Sequence, residues 1–199
     1  MADRARLRDI PPSNIPPGVT MFARSAAVVT LLALATAPLL RAQAPAPPKP
    51  GPEHQKLAYF AGRWTEVGEM KAGPMGPGGK MTATSTCEWF PGGFHLVCHS
   101  DGAGPTGPMH GLGILGYSGE RKRYTYYGID NSGFGDPAYG ELAGDTWNWE
   151  GESLMGGQTV KSRYTIKQLS ADSYSWKFEM SMAGGAWTLA GEGTDTRVK

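Results

Sequence analysis

The chain has 199 residues, and its 19 basic side chains nearly balance its 18 acidic ones. Residues 45–199 alone hold 14 basic and 16 acidic residues, which excludes the positive surface of a protein that binds nucleic acid or anionic membranes. The 29 glycines and 16 prolines, with six Trp, eight Tyr and six Phe, favour an all-β domain that has many turns and an aromatic core.

The N-terminal segment predicts export. Residues 21–24 form a short basic start, residues 25–40 are an apolar run, and Ala42-Gln43-Ala44 is the small-x-small pattern that signal peptidase accepts. The run is shorter than the roughly 20 residues that a membrane span needs. We therefore interpret residues 1–44 as an upstream extension and a signal peptide that starts at Met21 and is cleaved after Ala44. The alternative is a retained anchor, and the expected location is periplasmic or secreted.

The exported part begins with a proline-rich segment. Residues 45–56 are expected to form an extended, flexible tether, and residues 57–199 to form the folded domain. A short helical turn over residues 54–60 is expected before the first strand.

From Leu57 onward, apolar and polar residues alternate with a period of two. Trp147 and Trp149, for example, flank Asn148, as expected for half-buried antiparallel strands. Short adjacent strands leave no room for crossover helices, so we predict an up-and-down antiparallel meander closed into a barrel, with a two-sheet sandwich as the alternative. The ten predicted strands cover residues 61–71, 79–90, 94–101, 109–117, 122–130, 137–143, 146–153, 158–168, 173–182 and 186–196.

Both cysteines fall in one predicted hairpin. A turn centred on Gly92-Gly93 places Trp89 opposite Leu96 and Cys87 opposite Cys98. Directly opposed residues have Cα atoms about 4.5–5.5 Å apart, which is within the range of a disulfide. In an oxidising compartment this register predicts a Cys87–Cys98 bridge, and the same register would also allow two buried thiols.

Alternate connections of a meander emerge at the same end of the sheet. One set of connections is long and rich in Gly and Pro, and the other consists mostly of tight turns. Methionine, which suits irregular apolar contacts, occurs in or beside the first set at Met75, Met109, Met155 and Met182. These loops could form the mouth of a barrel, or they could be loops and nothing more.

Several segments resemble a known family. Gly62-Arg63-Trp64 on the first strand is a Gly-x-Trp of the kind found at the start of lipocalin-like (calycin) barrels. Together with residues 88–94, 111–117 and 126–130, it makes residues 54–199 similar to the family called domain of unknown function 1579. This resemblance implies a lipocalin-like barrel without an established reaction. Some related barrels bind haem through a late histidine, but no histidine follows His110 here, so no cofactor is expected.

Two further patterns carry little chemistry. Residues 111–116 match G-x-G-x-x-G, but a turn and an alternating strand follow instead of the helix that a dinucleotide site needs, so we interpret them as a glycine-rich strand. His95 and His99 lie on one face of a strand at a separation of about 13 Å, too far apart to bind one metal ion. No metal site is expected.

The candidate ligand-binding residues are aromatic residues and methionines of the barrel interior or mouth. Small barrels either fill their interior or hold one small ligand. Carboxylates are dispersed among the strands, and the sequence gives no reason to choose any two of them as a catalytic pair: Glu66, Glu69, Asp130, Glu141, Glu150 and Glu179. The candidates for the cavity or mouth are Trp64, Trp89, Trp147, Trp149, Trp176, Met155 and Met182.

Nothing in the sequence has the pattern of an enzyme active site, and three functions stay open. The first is an exported, non-enzymatic barrel that binds a small apolar or amphipathic ligand. The second is a structural or interaction protein of the cell envelope, which predicts a filled interior and an exposed apolar patch. The third is an enzyme whose pocket gathers dispersed carboxylates. The sequence identifies no ligand and no oligomeric state.

Overall fold

The computed structural model of the chain describes residues 46–199. The extension and signal peptide expected over residues 1–44 lie outside the described residues. Within residues 46–199, no helix has the length and apolar character that crossing a bilayer requires.

One short helix and a 3₁₀ turn precede ten strands. Helix α1 covers Pro52–Lys56 and continues as a 3₁₀ helix over Leu57–Phe60, so the last five residues of the expected tether belong to the folded domain. The strands are β1 Gly62–Met70, β2 Gly79–Trp89, β3 Leu96–Gly104, β4 Gly107–Ser118, β5 Arg123–Asp130, β6 Gly135–Ala143, β7 Thr146–Met155, β8 Gln158–Ser170, β9 Ser173–Met182 and β10 Thr188–Arg197.

The sheet is an antiparallel meander that closes into a barrel, as predicted. Each strand pairs with its neighbours in sequence, and β1 also pairs with β10, from Trp64 opposite Arg197 to Met70 opposite Gly191. This last pairing decides between the barrel and the sandwich, because a sandwich would leave β1 and β10 as edges. A closed ring has no exposed edge that could pair with another chain.

The helical segment covers one end of the barrel, which we call the closed end. Leu57 and Phe60 are buried there, and the Phe60 ring lies 5.2 Å from the ring of Trp147. The indole Nε1 of Trp64 donates a hydrogen bond of 2.9 Å to the Phe60 carbonyl, and Tyr59 Oη donates to the Ser170 carbonyl at 2.9 Å. Aromatic packing and hydrogen bonds therefore hold this segment against the strand ends. We call the opposite end the mouth.

The cysteine hairpin has the predicted register. Cys87 lies opposite Cys98 with the Cα atoms 4.0 Å apart, and a disulfide joins the two residues. Gly92 and Gly93 form the turn with φ of 99° and 74°, a conformation that other residues adopt at a cost. The bridge thus ties β2 to β3 near the closed end.

Removing the disulfide should lower the free energy of unfolding. The bridged residues are 11 apart in sequence, and closing a loop of that size restricts the unfolded chain by about 3 kcal/mol. We expect urea denaturation of the double variant Cys87→Ser/Cys98→Ser to show a loss of that size. Dithiothreitol should destabilise the wild-type protein to the same degree and leave the double variant unchanged, and an effect of the reductant on the variant would contradict this.

Candidate functional site

The two sides of the barrel interior carry side chains of very different size. The inner face of β2, β3 and β4 is built largely from small residues, and these residues are neighbours across the strands, with Ala83 opposite Gly102 and Ser100 opposite Gly111. The inner face of β7, β8 and β9, on the other side of the ring, carries large aromatic residues. The small residues are Ala83, Ser85, Ser100, Gly102, Gly111 and Gly113; the large ones are Trp147, Trp149, Tyr164, Trp176 and Phe178.

Side chains of the middle layers point inward and yet are only half-buried. Part of the surface of Tyr164 and Phe178, on the aromatic side, stays accessible to solvent. The same is true of Ala83 and Ser85 on the small-residue side. An inward-facing residue that stays partly accessible borders space that no other side chain fills. Unfilled space in the interior therefore borders these middle layers, whereas the closed end is packed and Met81, Val160 and Met180 nearer the mouth are buried.

Two carboxyl groups meet on the inner surface where β1 joins β10. Glu66 lies directly opposite Asp195 in the register, and both point into the barrel. Asp195 is only 4% exposed, and Glu66 is half-buried. We call these two residues the acid pair. Opposed residues of antiparallel strands have Cα atoms about 4.5–5.5 Å apart, so the two carboxyl groups share one environment.

Both members of the acid pair hold a proton more tightly than ordinary carboxyl groups do. Burial raises the pKa of Glu66 to about 7. Burial, followed by repulsion from Glu66, raises the pKa of Asp195 to about 8, although polar contact with Tyr174 and Trp176 opposes that rise. Near neutral pH, Asp195 therefore mostly keeps its proton, and Glu66 is close to the midpoint of its titration.

The basic residue nearest to the acid pair in the register is engaged elsewhere. Arg197 forms an ion pair with Asp172 at 3.3 Å and lies 4.2 Å from the centre of the Trp64 ring. Its guanidinium also donates to the carbonyls of Tyr59 and Ala61. No ion pair within residues 46–199 includes Glu66 or Asp195, so their charge is balanced by protons and not by a side chain.

An aromatic wall stands beside the acid pair. The Trp176 indole lies flat on glycines of β1 and β10, where a Cβ on Gly68 or Gly193 would come within 2.7 Å or 2.6 Å of its ring. The Tyr164 ring stacks on Trp176 with a centroid distance of 5.6 Å and an angle of 18°. These glycines therefore let a large flat ring form part of the interior surface.

The Trp176 indole nitrogen has an unused hydrogen-bond donor. Trp176 is 3% exposed, and its Nε1 has no hydrogen-bond partner among the described residues. The same indole N–H lies close enough to Asp195 to lower the pKa of that carboxyl group. A buried N–H without an acceptor is costly, so this donor favours the ionised form of the neighbouring Asp195, which is a stronger acceptor than the protonated form.

The structure divides the seven predicted ligand-binding residues among three places. Trp64 and Trp147 are fully buried in the closed end, and Trp149 stacks on Trp147 at 6.1 Å. Trp89 is 38% exposed at the end of β2, where it lies opposite Leu96. Trp176 lies beside the acid pair. Met155 and Met182 lie at the mouth ends of β7 and β9.

Sequence reasoning missed most of this site. Glu66 was one of six undistinguished carboxylates, and Asp195, Tyr164 and Tyr174 were not singled out. One signal was present: Glu66 follows Trp64 by two residues, so it shares the inward face of that tryptophan. Glu66 lies opposite Asp195 only because of the β1–β10 register. No hairpin turn joins these two strands, so the sequence offers no turn from which that register could be predicted.

The other motifs lie outside the interior or serve the fold. Residues 111–116 belong to β4, so the G-x-G-x-x-G match is a strand, as interpreted. His99 and His110 are exposed and border a shallow groove of about 280 Å³ on the outer wall, where His110 Nδ1 lies 2.7 Å from Asp101 Oδ1. Within the described part of the chain, no three His, Cys, Asp or Glu residues cluster as metal ligands.

Comparison with known proteins gives a family and a fold. Residues 49–197 match the family described as "Protein of unknown function (DUF1579)". No curated protein matches the sequence. The crystal structure of Rv2717c from M. tuberculosis is similar with a TM-score of 0.55 and 16% identity, over 75% of this chain and 99% of that one.

Two further barrels superpose less well. The S-type phycobiliprotein lyase CPES from Guillardia theta has a TM-score of 0.48 and 9% identity, over 74% of this chain and 93% of its own. EF1p2_mFAP2b bound to DFHBI has a TM-score of 0.42 and 13% identity, over 73% and 98%. At these identities, the likeness to Rv2717c establishes a lipocalin-like barrel fold and no more.

Proposed function

Because the chain belongs to the DUF1579 family, which has no assigned function, we propose from the geometry of its interior that the barrel binds a small apolar or amphipathic molecule. The observation that carries this proposal is the contrast between the two inner walls. Small residues face large aromatic ones across the ring, and inward-facing residues of the middle layers, such as Ala83 and Tyr164, stay half-buried.

The mouth supports this proposal with adaptable side chains. Met70, Met155 and Met182 end strands β1, β7 and β9 there, and Met81 and Met109 lie on the inner face of β2 and β4. Thioether side chains adjust to apolar partners of irregular shape. Such residues at an entrance suit an amphipathic molecule that passes into the barrel.

The two other functions are less well supported. An interaction protein predicts a filled interior, whereas the small-residue wall favours unfilled space. Its second expectation, an exposed apolar patch, has a counterpart in Tyr127, Ile129 and Phe134 around β5 and its connection to β6. For an enzyme, the acid pair supplies convergent polar groups. Because the acid pair by itself identifies no reaction, we confine the proposal to binding.

We also propose that the barrel acts outside the cytoplasm, in the periplasm or beyond the cell. The Cys87–Cys98 disulfide supports this location, because structural disulfides persist in oxidising compartments and are rare in the cytosol. The expected signal peptide agrees with the same location.

Filling the barrel interior with a larger side chain should strongly weaken ligand binding. Ala83 points inward on the small-residue wall, opposite Gly102, and its neighbour Thr84 points outward and is exposed. We expect Ala83→Phe to weaken binding of the neutral dye Nile red roughly tenfold or more, measured by fluorescence titration. Thr84→Phe adds the same ring to the outer wall and should leave the affinity unchanged.

The controls keep this test specific. Circular dichroism and thermal unfolding establish that both variants fold. Dye binding that survives in folded Ala83→Phe would contradict an interior site. Mass spectrometry of ligand extracted from wild-type protein, made in its native host, then identifies the natural ligand, and the same extract from Ala83→Phe serves as the blank.

A further inference from the structure

We propose that the acid pair makes the interior site selective for an amphipathic amine, that is, a molecule with a protonated nitrogen and an apolar tail. This inference rests on the proposed function, because it specifies the ligand of the same interior site. Glu66 and Asp195 would hold the ammonium group, and the tail would extend along the aromatic wall toward the mouth.

Charge is the first argument. Two carboxyl groups face each other across the β1–β10 seam without a basic side chain to pair with them. A buried carboxylate without a partner is strongly unfavourable, so the empty pair retains at least one proton near neutral pH. An ammonium ion between the two oxygens would balance their charge and donate hydrogen bonds to both groups. An anionic ligand would meet repulsion at the same place.

The aromatic surroundings are the second argument. Stacked Trp176 and Tyr164 and the neighbouring Tyr174 present ring surfaces in the layers next to the acid pair. Ring faces attract cations, more strongly where water is excluded. The same rings offer apolar area to a hydrocarbon tail, so one wall serves both parts of an amphipathic amine.

The unused donor of Trp176 is the third and independent argument. Its Nε1–H is buried, has no hydrogen-bond partner among the described residues, and lies close enough to the Asp195 carboxyl group to lower the pKa of that group. When a bound ammonium ion displaces the proton of Asp195 to the solvent, the resulting carboxylate becomes a stronger acceptor for this N–H. Binding would thereby satisfy a donor that the empty barrel leaves unpaired.

Proton release should accompany binding. The titratable groups that face the acid pair are Tyr174 on β9, Tyr164 on β8 and Tyr59 of the 3₁₀ helix, all of which burial keeps protonated. Arg197 forms its ion pair with Asp172 and not with either member of the acid pair. Glu66 and Asp195 are thus the groups that change protonation near neutral pH, and a cation should bind more tightly as pH rises through their titration range.

Three probes with the same eight-carbon tail separate charge from hydrophobicity: octylamine, octanol and octanoate. Isothermal titration of each into the wild-type protein near pH 8.5 should give octylamine an affinity at least about tenfold above that of octanol, with octanoate the weakest. Near pH 5.5, the advantage of octylamine should shrink to about twofold. Titration in two buffers of different ionisation enthalpy should show proton release on octylamine binding near pH 7.

The decisive variant is Glu66→Gln/Asp195→Asn, which keeps the shape of both side chains and removes their charge. It should bring octylamine and octanol within about twofold of each other and abolish the proton release. Glu88→Gln removes an exposed carboxylate from β2 and should retain the full preference. Circular dichroism establishes that each variant is folded.

Failure of this inference is distinguishable from failure of the proposed function. If Ala83→Phe blocks Nile red binding but wild-type protein does not prefer octylamine, or the double variant keeps the preference, the amine assignment is wrong and the interior site stands. If Ala83→Phe does not affect Nile red binding, the interior site itself is wrong, and the amine assignment falls with it.

Discussion

The free energy of unfolding should fall by several kcal/mol when the pH is raised from about 5 to about 8.5. The cause is the acid pair, because Glu66 and Asp195 have pKa values of about 7 and about 8 in the barrel but ordinary values once the chain unfolds. A pKa unit corresponds to about 1.4 kcal/mol, so Glu66 alone accounts for roughly 3 kcal/mol. Urea denaturation at a series of pH values measures the effect.

The sign follows from proton linkage. Below about pH 4, both carboxyls are protonated in the folded and the unfolded chain, so they contribute no pH dependence. Between about pH 4 and pH 8, the folded state holds more protons than the unfolded state, and stability falls as the pH rises. Above about pH 8, both states have released these protons, and the decline ends. The direction of this pH dependence is opposite to that of an ion-paired carboxylate, which makes the fold more stable as the pH rises.

The variant Glu66→Gln/Asp195→Asn isolates the contribution of the acid pair. Its stability should change little over this pH range and should exceed that of the wild-type protein at high pH, because no charge is then buried. Glu88→Gln should follow the wild-type curve. An unchanged pH dependence in the double variant would show that the two carboxyls titrate as ordinary surface groups.

Replacing Phe60 by alanine should cost about 3–5 kcal/mol of unfolding free energy. Phe60 is 5% exposed at the centre of the closed end, where its ring contacts Trp147 at 5.2 Å and Tyr174 at 5.9 Å. Its removal leaves a cavity beneath the 3₁₀ helix and takes away a contact surface of both rings. For a domain of this size, we expect the midpoint of thermal unfolding to fall by about 10 °C.

Phe90 provides the matched control for this prediction. It follows β2, also near the closed end, but is 57% exposed, so Phe90→Ala should change the unfolding midpoint very little. Equal effects of the two substitutions in differential scanning calorimetry would mean that the helical segment does not seal the barrel.

The sequence predicts this fold well because its signals are local. Alternation such as Trp147-Asn148-Trp149 identifies a strand with one buried face, and short turns such as Gly144-Asp145 join several of the strands to the next. The Gly92-Gly93 turn even fixes the partner of Cys87, because a hairpin register needs only its turn to be located. A meander repeats this local geometry, so neighbour pairing follows from chain order.

The candidate site depends on contacts that no local signal specifies. Glu66 and Asp195 meet only where the ends of the folded chain pair, and the register there follows from the closure of the whole ring. The space beside them depends on which strands lie opposite each other. The runs of small inward residues on β2, β3 and β4 gain meaning only when the aromatic β7, β8 and β9 stand across the ring.

The β1–β10 seam has a kinetic consequence. It joins residues as far apart as Thr65 and Thr196, whose hydrogen bond spans 131 positions of the chain. Contacts of such long range are entropically expensive to nucleate, so we expect the seam to close after the rate-limiting step of folding. The like charges of Glu66 and Asp195 are brought together only in that final step. Alkaline conditions therefore shorten the lifetime of the native ring, while the rate at which the chain assembles stays nearly constant.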